Sequence, residues 1–187
     1  EASEGLDRIR LNSIEPGYLS DELIDFAAAS STLCRHFHVP RQSGDDHILR
    51  RMGRRYNRAH YAERIERIAS QIPNCAIGAD VMVGFPGETE ADFDQLLDFV
   101  EATRFDHVSG FLYSPEEGTS AYVLGADVST AMKELRYSRL TQLQERVATE
   151  INDALVGTRQ EVLVDSWDGH VYCARMERDA PEIDCQV

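Results

Sequence analysis

Cysteine is scarce in this chain, and the four that occur, Cys34, Cys75, Cys173 and Cys185, stand 41, 98 and 12 residues apart. That spacing fits neither a disulfide framework nor a C-x-x-C metal knuckle, so reduced thiols in a cytoplasmic protein are expected. No apolar run approaches the roughly 20 residues that span a bilayer, which excludes a membrane-spanning chain. Positive charge is also short. Nineteen Lys plus Arg against 33 Asp plus Glu leave −14, a balance that argues against coating a polyanion with the whole surface. There is no Walker-type phosphate loop, no Ser-His-Asp nucleophile pattern and no internal repeat. The sequence opens on Glu1 without an initiator Met or a signal peptide, as the interior of a longer chain does.

What is present is ordinary globular composition: 187 residues, 42% hydrophobic and 28% charged, enough for one domain with a small appendage. Apolar runs alternate with helical periodicity through the first two thirds, the pattern of strand-then-helix units around a parallel sheet. Four units are expected. Strands are read at Arg8 to Ile14, His36 to Val39, Ala76 to Val83 and His107 to Tyr113. Helices follow from caps at Ser20, near Asp45, at Asn57, at Thr89, and at Ser129 or Thr130. The last is long, with Leu135, Leu140, Leu143, Val147, Ile151 and Leu155 at helical spacing until Gly157. The period then changes: Gln160 to Asp165 and His170 to Met176 read as strands joined through Asp168-Gly169. Four units do not close a barrel, so the strand at Arg8 to Ile14 is expected at an open edge.

In such an architecture, chemistry sits where the strands end. The segments there are Ile14-Glu15-Pro16, Pro40 to Gly44, Gly84 to Thr89 and Tyr113 to Thr119, all rich in Gly, Pro and hydrogen-bonding groups. Gln42, leaving a strand, and Arg54, twelve residues on, can together hold a hydroxyl and a carboxylate of one small ligand, because a guanidinium fork binds both carboxylate oxygens. Arg35 to Arg67 holds nine arginines against four acidic residues. Arg58, Arg64 and Arg67 are read as a solvated helix face. His36 and His38 lack a third ligand nearby and are read as strand histidines hydrogen-bonded in place.

The segments His36 to Asp46, Leu49 to Tyr56, Asp80 to Thr89 and Tyr113 to Thr119 together resemble the radical S-adenosylmethionine methylthiotransferases, in order and spacing, over about residues 8 to 155. The end, Asp179 to Asp184, resembles the TRAM module of the same enzymes. The resemblance implies an α/β fold: a partial TIM-like barrel with parallel strands and outer helices over 1–128, a connecting helix over 129–157, and the start of a small all-β TRAM module over 158–187. It implies S-adenosyl-L-methionine and two 4Fe-4S clusters, with an electron donor such as flavodoxin or ferredoxin. Gln42 and Asp80 would contact the ribose and Arg54 the methionine carboxylate, while Met82 and the backbone from Phe111 to Tyr113 would flank the adenine. This chain departs from the pattern in having no CxxxCxxC, and its first strand looks like the family's third. Neither cluster is expected to be ligated by these residues, and the fragment alone is expected to be inactive.

Two substrates divide the resemblance. Strand two and Asp80 look like the enzymes that modify the transfer-RNA (tRNA) adenosine beside the anticodon. The stretch from Phe93 through Tyr122 and the closing Ala180 to Asp184 look like the RimO type, which modifies an aspartate of a small-subunit ribosomal protein. Asp165, Asp168, Glu177, Asp179, Glu182 and Asp184 outnumber Arg175 and Arg178, and a surface of that sign attracts basic protein and repels phosphate. The expectation therefore favours the ribosomal protein. A non-catalytic module that binds a ribosomal protein or RNA is the rival from another class.

Overall fold

The computed structural model describes residues 5–181. Helices begin where short polar side chains can take up free N–H groups. Ser20 accepts from Leu23 N at the start of α1 (Asp21–Ala29). Asp45 accepts from His47 and Ile48 N at α2 (Asp46–Arg51), and Asn57 accepts from His60 N at α3 (Arg58–Gln71). Thr89 and Asp92 form a reciprocal capping box at α4 (Glu90–Thr103). Ser129 accepts from Met132 N at α5 (Thr130–Asp153). Gly53, at φ 72°, stops α2 two residues past its end, where the left-handed conformation suits glycine.

Strands β1 (His36–His38), β2 (Ala76–Val83) and β3 (His107–Leu112) form one parallel sheet in the order β1-β2-β3. His38 aligns with Gly78 and His107, and Asp80 with Ser109. Parallel pairing requires crossovers, which α3 and α4 supply. Ile77, Ala79, Val81 and Val83 turn to one face and pack with Tyr61, Ile65 and Ile68 of α3 and Phe93, Leu96 and Val100 of α4. Gly44 follows β1 so closely beneath α4 that a Cβ there would lie 2.3 Å from the Leu96 Cα. The other face of β2 carries Gly78 and Asp80, which line a cavity of about 330 Å³ with His36, His38, His107 and Ser109.

The expected strand at Arg8 to Ile14 does not form. It touches its neighbour at an isolated parallel bridge, Ile9 with Leu33, and through Ile14 N to the His38 carbonyl. Between these points His36 N bonds back to the Cys34 carbonyl. This local turn bends the partner chain away, so continuous pairing is lost. The sheet therefore has three strands where four were expected, with no closed barrel among the described residues. Helix α5 also ends earlier than Gly157, at Asp153, and its last turns tighten to i→i+3 bonds, Leu155 N to Asn152 O and Val156 N to Asp153 O. Leu135, the first leucine of the helically spaced row, is 54% exposed. Leu140 and Val147 are buried, as are Lys133, Arg136 and Gln144.

Strands β4 (Val162–Trp167) and β5 (Tyr172–Met176) form an antiparallel hairpin. Its turn is made by Asp168, whose Oδ1 accepts from His170 and Val171 N, and by Gly169 at φ 101°. The chain then passes beneath the N-terminal ends of the sheet, where Arg10 donates to the Glu177 and Asp179 carbonyls and Arg178 pairs with Asp106.

Candidate active site

The rim at the C-terminal ends of the strands starts from a pinned segment. Tyr61 donates to the Val39 carbonyl at 2.7 Å, and Tyr56 to the carbonyls of Pro40 and Arg41 at 3.1 and 3.2 Å. Burial pushes the Tyr56 hydroxyl up to about 12 and raises Tyr61 further, so both remain protonated donors. Arg41 is fully buried between the rings of Tyr61 and Phe99, 4.9 and 4.7 Å from their centroids. Its three guanidinium nitrogens have no hydrogen-bond partner among the described residues, and burial lowers its pKa to about 10. The fixed backbone delivers Gln42 at φ 67°, bridged to β2 by Gln42 N to the Asp80 carbonyl and by Met82 N to the Gln42 carbonyl.

Arg54 follows Gly53 and pairs through Nη1 with Glu15, a residue of the first rim loop. Its Nε is buried without a partner among the described residues. One edge of the fork is thus held by protein while another donor is left over, and an unmet buried donor is costly. Met82 packs against Ile48, Phe85 and Tyr113. Tyr113 is buried, meets Phe85 edge to face at 5.2 Å and donates to the Ala121 carbonyl. Gln42, Arg54 and Tyr113, on loops, and Met82, near the C-terminal end of β2, therefore stand at one rim. Asp80 stands deeper, on the cavity face, where His38 joins it at 3.2 Å and also meets Ser13 at 2.6 Å.

The third rim loop, Gly84 to Thr89, is braced from α5. Glu88 accepts from Gly84 N at 2.7 Å and from Arg136 at 2.8 Å, and both side chains of this pair are nearly inaccessible. Burial raises the Glu88 carboxyl despite these partners. Lys133 donates to the Tyr113 carbonyl at 2.8 Å, and its chain crosses Gly84 so closely that a Cβ there would meet it at 2.4 Å. Thr89 caps α4 and Glu88 serves the loop itself. Sequence reasoning did not assign Glu15, Arg41 or Arg136. Only the aromatic positions Tyr61 and Phe99, far along the chain, could have marked Arg41 as interior.

The residues present fit one of the implied cofactors and not the other. Arg54, with its leftover Nε, suits a carboxylate, and the apolar cluster of Met82, Phe85 and Tyr113 suits a flat heterocycle. No group of three His, Cys, Asp or Glu among the described residues can hold a metal. Burial raises the Cys34 thiol and pushes Cys75 up to about 12, away from the thiolate that iron requires.

The acidic count of the last stretch does not translate into an open acidic face. Asp165 is bound by Arg175 at 2.9 Å, Glu177 accepts from Arg35 N, Asp179 accepts from Met176 N, and Asp168 is spent on its own turn. Glu182 and Asp184 lie outside the described residues. The arginines read as a solvated face are likewise engaged. Arg64 and Arg67 clamp Asp21 and Asp25 of α1, and Arg58 meets Gln95.

Residues 3–100 match the Radical SAM superfamily, and residues 156–187 match the TRAM domain. Among curated relatives, "tRNA-2-methylthio-N(6)-dimethylallyladenosine synthase 1" of Mycobacterium marinum is 45% identical over 166 residues, covering 89% of this chain and 31% of that protein. The like-named synthases of Syntrophomonas wolfei and Kineococcus radiotolerans are 45% and 40% identical, covering 86% and 96% of this chain and 36% of each relative. The chain thus spans about a third of the length of the curated relatives it matches. Coproporphyrinogen III oxidase (HemN) from Escherichia coli, described as a radical SAM enzyme, aligns with a TM-score of 0.58 at 18% identity over 78% of this chain and 32% of its own, a likeness of fold alone. With more than half of its length matched, the chain belongs to the Radical SAM superfamily.

Proposed function

We propose that the protein carrying this chain is a tRNA methylthiotransferase that places a methylthio group on an N6-dimethylallylated adenosine. The observation that carries the reading is the 45% identity to tRNA-2-methylthio-N(6)-dimethylallyladenosine synthases along 89% of the chain. It is preferred to the small-subunit ribosomal protein favoured on charge, and Asp165, Asp168, Glu177 and Asp179, four of the carboxylates behind that preference, are engaged within the molecule. In this reading S-adenosylmethionine and a reduced iron–sulfur cluster supply the hydrogen-abstracting radical. Arg54 binds the methionine carboxylate, held at the correct angle by Glu15. Gln42 and Asp80 meet the ribose, and Met82 with the chain at Tyr113 covers the adenine. These residues bind and orient, and the apolar cluster excludes water from the reacting edge.

The test is mass spectrometry on a strain lacking the gene. The expected result is loss of the methylthio group from tRNA nucleosides with the ribosomal-protein aspartate still modified. Loss of the ribosomal modification with intact tRNA would assign the activity to the ribosome instead.

A further inference from the structure

The nine arginines between Arg35 and Arg67 fall into two groups once their partners are known. Arg35 donates to the Pro73 carbonyl, Arg41 is interior, Arg54 meets Glu15, Arg58 meets Gln95, and Arg64 and Arg67 clamp α1. Arg50, Arg51 and Arg55 are exposed, and their side chains make no hydrogen bond or ion pair among the described residues. The nearby carboxylates are already used: Asp45 caps α2, Asp46 accepts from Arg58 N, Glu88 is buried with Arg136, and Asp127 accepts from Gly87 N. Three uncompensated cations within six residues are unusual in a chain of net charge −14. The helix dipole accounts for basic residues in a last turn, but Arg55 lies beyond the end of α2.

Their place is the mouth of the site. Arg54 in the same turn reaches Glu15 of the first loop. The guanidinium of Arg51 lies across the third loop, so that a Cβ on Gly87 would sit 3.2 Å from its Cζ. The single lysine, Lys133, is buried, so the exposed side-chain cations at this rim are guanidinium forks, whose geometry matches phosphate oxygens. A substrate nucleoside presented to the rim brings its flanking phosphates to this edge.

We infer that Arg50, Arg51 and Arg55 form a phosphate-binding edge that grips the RNA backbone beside the nucleoside entering the site. The inference rests on the tRNA reading above and adds where the RNA is held.

The experiment uses the full-length protein and a fluorescent anticodon stem-loop RNA, with binding followed by anisotropy from low to moderate salt. For the triple variant Arg50→Gln, Arg51→Gln, Arg55→Gln, the slope of log affinity against log salt becomes shallower by about two to three, at about 0.7–0.9 per phosphate contact. Affinity at low salt falls roughly 10-fold or more. Calorimetric affinity for S-adenosylmethionine and the melting temperature stay at the wild-type values. The paired variant Arg64→Gln, Arg67→Gln removes two positive charges from the α1–α3 contact, away from the rim, and leaves the slope within one contact of wild type.

An unchanged slope in the triple variant, with the RNA still bound, overturns the edge and leaves the tRNA reading standing. An equal loss in the Arg64/Arg67 variant also overturns it, because the effect would then be one of total charge. A wild-type protein that ignores the stem-loop but binds an acidic peptide through these arginines overturns both.

Discussion

Strands β2 and β4 are similar in composition and opposite in fate. β2, Ala-Ile-Gly-Ala-Asp-Val-Met-Val, is flanked by strands on both edges and by helices on one face, and six of its eight residues are buried. β4, Val-Leu-Val-Asp-Ser-Trp, is exposed along its whole length. Trp167 stacks on Tyr172 at 4.4 Å yet remains half exposed. Local β-propensity brings both segments into extended form, but stabilisation comes from what covers them. Among the described residues little covers the outer strand of this two-stranded ribbon.

The sharpest way to strain this contrast is to unbrace the sheet unit. Arg136→Ala leaves the buried Glu88 carboxylate without its cation and is expected to cost about 3–5 kcal/mol, the usual scale for breaking a buried pair, read by denaturant unfolding. At the rim, Arg54→Ala in the full-length enzyme is expected to weaken S-adenosylmethionine binding by about 1.5–3 kcal/mol, the scale of a charge-assisted hydrogen bond. Calorimetry on the reconstituted protein checks this, and unchanged affinity would return Arg54 to a purely structural role with Glu15. Arg41→Met goes the other way. Removing a desolvated cation that makes no hydrogen bond among the described residues is expected to raise stability by about 1–2 kcal/mol after the loss of its ring contacts, visible as a higher melting temperature.

A pH titration sharpens the same interior. The Tyr56 proton is held more tightly in the folded chain than the ordinary phenol value near 10. Its contribution is therefore complete below pH 10 and is lost as pH rises through about 12. Tyr61 acts in the same sense, and Arg41, held down near 10, gains stability over that interval. Two losses against one gain give a net alkaline decline. Tyr56→Phe is expected to flatten it by up to about 1.4 kcal/mol per pH unit between 10 and 12. The smallest effect belongs to the hairpin: Val164→Thr, at a half-exposed position, should shift stability by no more than about 0.5 kcal/mol.

Much of this fold was legible because its signals are local. Ser20, Asn57, Thr89 with Asp92, and Ser129 declare helix starts within four residues, and the β2 boundaries follow from an apolar run interrupted by one charged residue, Asp80. The failures are contacts between distant segments. Nothing near Arg8 to Ile14 reveals the turn at Cys34 that spoils its pairing. Glu15 and Arg54 are 39 residues apart, and Arg41 looks like any other member of a basic run until Tyr61 and Phe99 enclose it. The misleading acidic count fails for the same reason, because Arg35 N and Glu177 meet across 142 residues. Charge totals register the groups and are blind to their partners.

Lys133 has a practical side. As the one lysine in 187 residues, it is the sole side-chain amine available to acylating reagents, and it is 7% exposed with its ammonium bonded to the Tyr113 carbonyl. The rate at which that amine becomes labelled is therefore a clock for one event, the lifting of α5 from the rim, read at a single residue without any engineered probe.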